Sequence, residues 1–340
     1  MIRLLLLADT HLGFDLPERP RVQRRRRGHD FLANYARALA PALQGDVDLV
    51  VHAGDVFDRP QVSATVAYQA FEPLRRIAEH GVPVFIVPGN HERSRLPHAR
   101  FAAHRNIHIF DRPRTVSITV KGGRIALSGF PYERRDVRSK LAQLLNGTEW
   151  QRHGADVRLL CLHHCVEGAR VGPQNFTFTT AADVIRINDI PAAFAAVLSG
   201  HIHRHQVLSA DLRRRPVAVP VLYPGSIERT AFAEIGEDKG YLLVQLEDQR
   251  TRWEFRALPA RPMIARQISL DGLSSAQLDE AVRAIVEAAP AEAVIGIRCV
   301  GQWDEAYTRV LSAARLRAIA PASMNLEVRV ANSYTQHVHG

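Results

Sequence analysis

The sequence predicts an α/β fold, a two-sheet α/β sandwich followed by a small C-terminal α/β unit. Three observations predict it. Apolar runs at residues 2–8, 47–51, 82–87, 156–162 and 195–198 are short and lack polar alternation, as strands covered on both faces do. Segments with helical spacing separate the first three runs, so strand and helix alternate. Each run then meets a turn carrying a carboxylate, an asparagine or a histidine, which puts polar chemistry at the carboxyl edge of a sheet, where open α/β folds place ligands.

Residues 2–8 form the first strand, followed by Asp9-Thr10-His11. This apolar opening is too short for a signal peptide and lacks a cleavage-site pattern. Residues 17–27 are rich in proline and arginine and read as a loop, with Arg24-Arg25-Arg26-Arg27 a solvated charge run first and a dedicated DNA contact second. Phe31, Leu32, Tyr35, Leu39 and Leu43 give a helix over residues 30–43 its inward face. The strand at 47–51, a helix at 63–80 and the strand at 82–87 continue the alternation, and the last ends in Pro88-Gly89-Asn90-His91-Glu92.

Between residues 104 and 130 the character changes to short β segments at 107–110, 115–120 and 124–130, with Lys121-Gly122-Gly123 as a hairpin turn. These are expected to begin the second sheet. A helix at 137–145 leads to the strand ending at His163-His164, and the strand at 195–198 ends in Ser199-Gly200-His201-Ile202-His203. Further β segments are expected at 217–222, 240–247 and 253–257. Residues 259–262 read as a linker. Beyond them, 267–270, 274–288, 294–300, 305–318 and 325–330 alternate strand and helix without a carboxylate-histidine cluster, as a unit that binds or positions something would. The expected division is residues 1–260, 261–333 and a frayed tail at 334–340 that includes His337 and His339.

Composition narrows the class. With 46% hydrophobic and 23% charged residues the chain can bury a globular core, and no stretch has the apolar length of a membrane span. The net charge of +9 comes almost wholly from arginine, since Lys121, Lys140 and Lys239 are the only lysines. Guanidinium grips phosphate in two places, so this excess suits a polyanionic partner such as nucleic acid. Cys161, Cys165 and Cys299 have no disulfide-like or zinc-like spacing, which points to a reducing cytoplasm. Cys161 lies in an apolar strand and reads as a core residue.

The strand ends carry the chemistry. Asp9, His11, Asp55, Asn90, His163, His201 and His203 make a mixed nitrogen and oxygen set suited to manganese, iron or zinc. A lone histidine is more often a core or surface residue, but five such loops at strand ends are hard to assign to chance. Asp55, with two oxygens, reads as the bridge of a dinuclear site. Such a pair activates water for in-line attack on phosphorus and neutralises the charge growing on the phosphate oxygens.

The ordered series Asp9-x-His11, Gly54-Asp55, Gly89-Asn90-His91-Glu92, His163 and Gly200-His201-x-His203 resembles the calcineurin-like metallophosphoesterase superfamily in all five motifs. Within it, three features resemble the SbcD and meiotic-recombination exonuclease branch: residues 52–58 (His52-Ala53-Gly54-Asp55-Val56-Phe57-Asp58), Tyr223-Pro224-Gly225-Ser226-Ile227-Glu228-Arg229, and Lys239-Gly240-Tyr241. Glu92 stands where that branch has aspartate, and Asp58 where some relatives have histidine.

The resemblance implies two divalent metals, manganese first, with iron or zinc as alternatives. One would be held by Asp9, His11, Asp55 and His203, the other by Asp55, Asn90, His163 and His201, with His164 the fallback for His163. His91 would be the catalytic residue, stabilising charge on the phosphate or protonating the leaving oxygen. The implied activity is DNA exonuclease, with endonuclease activity as an extension, acting on DNA ends in repair or recombination. The implied partners are DNA, an SbcC-type coiled-coil ATPase and a second copy of the chain, and the terminal unit would be a capping domain. The alternatives are a phosphoesterase acting on a small nucleotide, phospholipid precursor or phosphoprotein, and a non-catalytic DNA-end scaffold.

Overall fold

The computed structural model describes residues 1–247 and 250–331. The expected tail lies outside the described residues.

Two six-stranded mixed sheets face each other. The first runs in the order Arg250–Ala257, Gly240–Glu247, Ile2–Leu7, Leu49–His52, Val84–Ile86 and Ile107–Ile109. Its last four strands are parallel, and Gly240–Glu247 joins antiparallel to Ile2–Leu7. The second runs Gln206–Ala210, Pro216–Tyr223, Ala196–Ser199, Val157–Leu162, Gly123–Gly129 and Arg114–Val120, with its four central strands parallel.

Alternation along the strands explains why they read as continuously apolar. Leu4 and Leu6 point into the inter-sheet core with Val51, Phe85, Leu159 and Leu198. Leu5 and Leu7 point the other way, against Phe31 and Tyr35 of the helix Arg27–Leu43 and Phe71 and Leu74 of the helix Ala64–Glu79. The second sheet does the same, with Leu160, Leu162 and Val221 packed on Val137, Leu141 and Leu145 of the helix Val137–Gly147. The result is a helix, sheet, sheet, helix sandwich whose central strands are buried on both faces while the edge strands Arg250–Ala257 and Arg114–Val120 stay largely exposed or half-buried.

A third sheet of three parallel strands, Met263–Ser269, Val294–Val300 and Asn325–Val330, packs on the helix Ser275–Glu287 around its own cluster of Ile268, Ile295, Ile297, Leu278 and Val282. Among the described residues no helix is long and apolar enough to cross a membrane.

Several expectations change. Ile107–Ile109 pairs parallel to Val84–Ile86 and belongs to the first sheet, so the second begins at Arg114. The segment at 305–318 is two short helices, Tyr307–Val310 and Ala313–Ile319, divided where Ser312 turns extended and accepts from the Arg315 amide. The arginine run is no solvated face. Arg24 donates to the Pro321 and Met324 carbonyls at 3.0 and 3.2 Å, Arg25 pairs with Asp30 at 2.7 Å and Glu292 at 3.0 Å, and buried Arg27 reaches the Arg229 carbonyl. Carbonyls and carboxylates draw these charges inward; Arg26 pairs with Asp15 at 3.4 Å, and apart from Asp30 the partners of Arg24, Arg25 and Arg27 named here come from residues 229–324. The linker is held likewise, since Arg261 is buried and bonds Asp30 at 3.0 Å, Asn325 at 2.7 Å and the Ser323 carbonyl at 2.8 Å.

Candidate metal centre

Five strands from the parallel parts of the two sheets, Ile2–Leu7, Leu49–His52, Val84–Ile86, Val157–Leu162 and Ala196–Ser199, end at one edge of the sandwich, and the loop after each contributes to one cluster. The first two loops are zipped together: the Asp9 amide donates to the Gly54 carbonyl at 2.9 Å, His11 to Asp55 at 3.1 Å and Leu12 to Val56 at 2.8 Å. Inside the zipper the Thr10 hydroxyl donates to the Val56 carbonyl at 3.0 Å and accepts from His52 Nε2 at 2.9 Å.

Close approach dictates the glycines before the ligands. Gly54 has φ +102°, and a Cβ there would lie 2.1 Å from His163 Nδ1. A Cβ on Gly89 would lie 2.2 Å from Asp55 Oδ1. The backbone is also strained where it presents the donors: Asp9, His11, Asp55 and His201 have φ of 51°, 41°, 50° and 80°. Each such residue costs on the order of 1–3 kcal/mol and persists only where its surroundings over-determine it. Here the Asp9 carboxylate accepts from the His201 amide at 3.0 Å, and Asp55 Oδ1 accepts from the His91 amide at 2.9 Å.

The seven expected ligands converge in two groups, and His11 also meets Asp58 and His91 in a third. Asp55, His163 and His201 form one, with His163 Nε2 3.2 Å from Asp55 Oδ2. Asn90 Oδ1 lies between its histidines, 3.1 Å from His163 Nε2 and 2.8 Å from His201 Nδ1. Asp9, His11 and His203 form the other, with the two Nε2 atoms 3.0 Å apart. Asp55 Oδ2 stands 4.0 Å from His11 Nε2, so this carboxylate lies between the groups.

The outer contacts set the tautomers. His163 Nδ1 faces the Ala53 carbonyl at 2.7 Å, so it donates there, and Nε2 is left pointing at two oxygen acceptors. His203 Nδ1 faces Glu234 Oε1 at 3.1 Å, which likewise turns Nε2 inward. Buried His11 Nδ1 has no hydrogen-bond partner among the described residues. Lone pairs that converge on one another in a buried site fit cations, and hard oxygen with imidazole nitrogen suits first-row divalent metals.

Without metal, the charges answer to burial and to one another. Burial pushes His11 well below the usual histidine range, with charge on His203 adding to it, and burial with the charge of His163 takes His201 down to about 3. Burial also acts to lower His163, but the Asp55 carboxylate outweighs it and raises that imidazole to about 9. Burial acts to raise Asp55, and His163 more than reverses this, leaving the carboxyl below its usual range. Burial raises Asp9 above its usual value despite His163 and His203.

His91 sits at the mouth, its side chain 38% exposed. Its Nδ1 donates to the Asp58 carbonyl at 2.6 Å, so Nε2 faces the cluster, 4.0 Å from Asp55 Oδ2. His164 turns away: its Nε2 meets the Glu133 amide at 2.9 Å and its ring stacks on Tyr132 at 4.9 Å. All seven expected ligands are thus brought together, and His164 is not among them. Sequence reasoning overlooked Glu234 and Thr230, which carry no periodic or motif signal, and Tyr132, whose ring lies 5.7 Å from that of His201. It left Glu92 without a role. The structure shows that side chain buried and accepting from the Phe57 and Gly89 amides, both at 2.7 Å, where it braces two of the ligand loops.

Comparison with known proteins agrees with this geometry. Among curated proteins, the chain is 28% identical over 281 residues to "DNA double-strand break repair protein Mre11" of Haloferax volcanii, covering 80% of this chain and 56% of that protein. It is 28% identical over 228 residues to the uncharacterized metallophosphoesterase YhaO of Bacillus subtilis, covering 66% and 52%. It is 25% identical over 310 residues to a subunit of the nuclease SbcCD of Bacillus subtilis, covering 80% and 74%. The chain spans about half the length of the first two. The family model described as calcineurin-like phosphoesterase matches residues 2–205, every loop of the cluster included, and the chain belongs to that family.

Proposed function

We propose that this chain is a metal-dependent DNA phosphodiesterase, an exonuclease with additional endonuclease capacity that acts on DNA ends in repair or recombination. The observation that carries the chemistry is the convergence of Asp9, His11, Asp55, Asn90, His163, His201 and His203 on one buried edge, with His91 Nε2 facing them from the mouth. The choice of DNA rests on the relatives named for Mre11 and for the nuclease SbcCD, and on the arginine-based charge of +9.

Asp9, His11, Asp55 and His203 would hold one divalent metal, and Asp55, Asn90, His163 and His201 the other, Mn²⁺ being the expected ion. When bound, the two ions supply activation of a water and charge neutralisation on the phosphate. The chain's own residues do the rest. Ala53 and Glu234 fix the tautomers of His163 and His203, and the Asp58 carbonyl fixes that of His91. In its doubly protonated form, with Nδ1 still on the Asp58 carbonyl, His91 Nε2 donates to a phosphate oxygen or to the leaving oxygen, a contribution of about 10²–10⁴ in rate. Residues 1–260 would form the nuclease domain and the following unit a cap that orients DNA. A coiled-coil ATPase of the SbcC type and a second copy of the chain are the proposed partners, and the cytoplasm the proposed location.

The test offers the purified protein end-labelled linear duplex DNA, a closed circle and a small aryl phosphodiester, with and without Mn²⁺. Linear DNA should be lost only with metal, and His91→Ala should slow that loss by about 10²–10⁴-fold while leaving Mn²⁺ binding in place. Hydrolysis of the small ester with all DNA intact, unchanged on adding a candidate ATPase, would overturn the nuclease reading.

A further inference from the structure

The segment after Tyr223-Pro224-Gly225-Ser226 returns to the metal centre from outside, and the metal-ligand motifs do not include it. Glu234 is its pivot. Oε1 accepts from the Thr230 hydroxyl at 2.6 Å and from His203 Nδ1 at 3.1 Å, while Oε2 pairs with Lys239 at 2.6 Å. Lys239 is fully buried, and its ammonium also donates to the His203 carbonyl at 3.0 Å and pairs with Glu237 at 3.0 Å. One short segment therefore holds both the ring and the backbone of His203.

The other side of the same turn faces the C-terminal unit. Glu234 lies in a single helical turn, Phe232–Glu234. The Phe232 ring rests on the three-stranded sheet at Gly296, where a Cβ would come within 2.6 Å of the ring. Gly296 is the mid-strand residue with no side chain, and its neighbours in register are Ala265 and Glu327. Glycine inside a strand costs stability unless something must approach closely, and here an aromatic ring does. Arg229 extends the link, donating to the Arg261 carbonyl at 3.2 Å and to the Glu234 carbonyl at 3.2 Å.

We propose that Glu234 is the positioning residue for His203, and that Phe232 seated on Gly296 makes metal affinity at the Asp9, His11 and His203 group depend on how the C-terminal unit sits. This rests on the dinuclear reading above. A carboxylate on the far nitrogen of a metal-binding imidazole fixes its tautomer and raises its basicity, and losing such a partner weakens metal binding by about 10–100-fold. The other metal position draws its own support from the Ala53 carbonyl behind His163, so the effect is confined to one ion.

The test is a Mn²⁺ titration of the metal-free full chain, read by the electron paramagnetic resonance of free Mn²⁺ and by calorimetry. Wild type should bind two ions. Glu234→Gln should weaken one of them by about 10–100-fold and leave the other unchanged. Phe232→Ala, which keeps the Glu234 and Lys239 pair, should weaken the same ion by about 2–30-fold, and Phe232→Leu should restore it by keeping an apolar body on Gly296. Unchanged binding in Glu234→Gln, or equal weakening of both ions, overturns the positioning role. Wild-type binding in Phe232→Ala overturns the link to the C-terminal unit. A wild-type protein that binds fewer than two ions would instead refute the dinuclear reading, a result visible before any variant is compared.

Discussion

His163 shows how much of the site's electrostatics one residue carries. In the metal-free protein it shares a buried ion pair with Asp55 at 3.2 Å, and that carboxylate lifts the imidazole to about 9. A folded-state value above the unfolded one, about 6.5, means the native protein holds the proton more tightly. The stabilisation is therefore complete below a pH of about 6.5 and lost as pH rises through about 9. Thermal melts of the metal-free protein should show the midpoint falling across that window, and His163→Asn should flatten the fall. Gly54 is the second sensitive residue. With His163 Nδ1 2.1 Å from any added Cβ and φ at +102°, Gly54→Ala should cost about 1–3 kcal/mol and abolish Mn²⁺ binding at the neighbouring position, as melting and metal titration would show. The sequence marked both residues, since a glycine between an apolar strand and a carboxylate is a legible signal. Glu234 was illegible because its meaning depends on His203, which lies 31 positions away in the chain.

At the scale of elements, strand existence was easier to read than strand partnership. The β segment expected at 107–110 is present as Ile107–Ile109, but its neighbour was not foreseen, because so short a run fits either sheet and only the parallel pairing with Val84–Ile86 decides. The helix Ser275–Glu287 was closer to self-specifying. Ser274 accepts from the Gln277 amide while the Gln277 side chain accepts from the Ser274 amide, a reciprocal cap written in local sequence. Ser274→Ala should destabilise the C-terminal unit by about 1 kcal/mol, measured by denaturant unfolding followed at Trp303, with metal binding by the main sandwich unaffected. The hairpin of Arg170–Val171 and Phe176–Thr177 is the opposite case. Gln206 grips the Arg170 amide and carbonyl, both at 2.8 Å, and Arg204 holds Asn175 at 2.6 Å, so residues just past the His203 loop shape it.

Across the whole molecule, arginines join what the sequence divides. Arg261 sits where a loose linker was expected, yet it ties Asp30 to Asn325 and to the Ser323 carbonyl just before the last strand. Arg261→Ala should cost about 3–5 kcal/mol, cushioned toward the lower figure because Arg25 still pairs with Asp30. Limited proteolysis should then release the C-terminal unit from an otherwise folded sandwich, and release at the wild-type rate would sink the idea.

By itself the sequence determined the α/β class, the five strand-end loops and the donor types they carry, because burial on both faces and ligand chemistry leave local marks. The tertiary structure alone decided that these loops meet at one edge and which of His163 and His164 faces the cluster. It also decided that the arginine run turns inward and that Glu234 stands behind His203. Each of those outcomes depends on a partner dozens to hundreds of residues away, and a contact between distant residues has no local periodicity to reveal it.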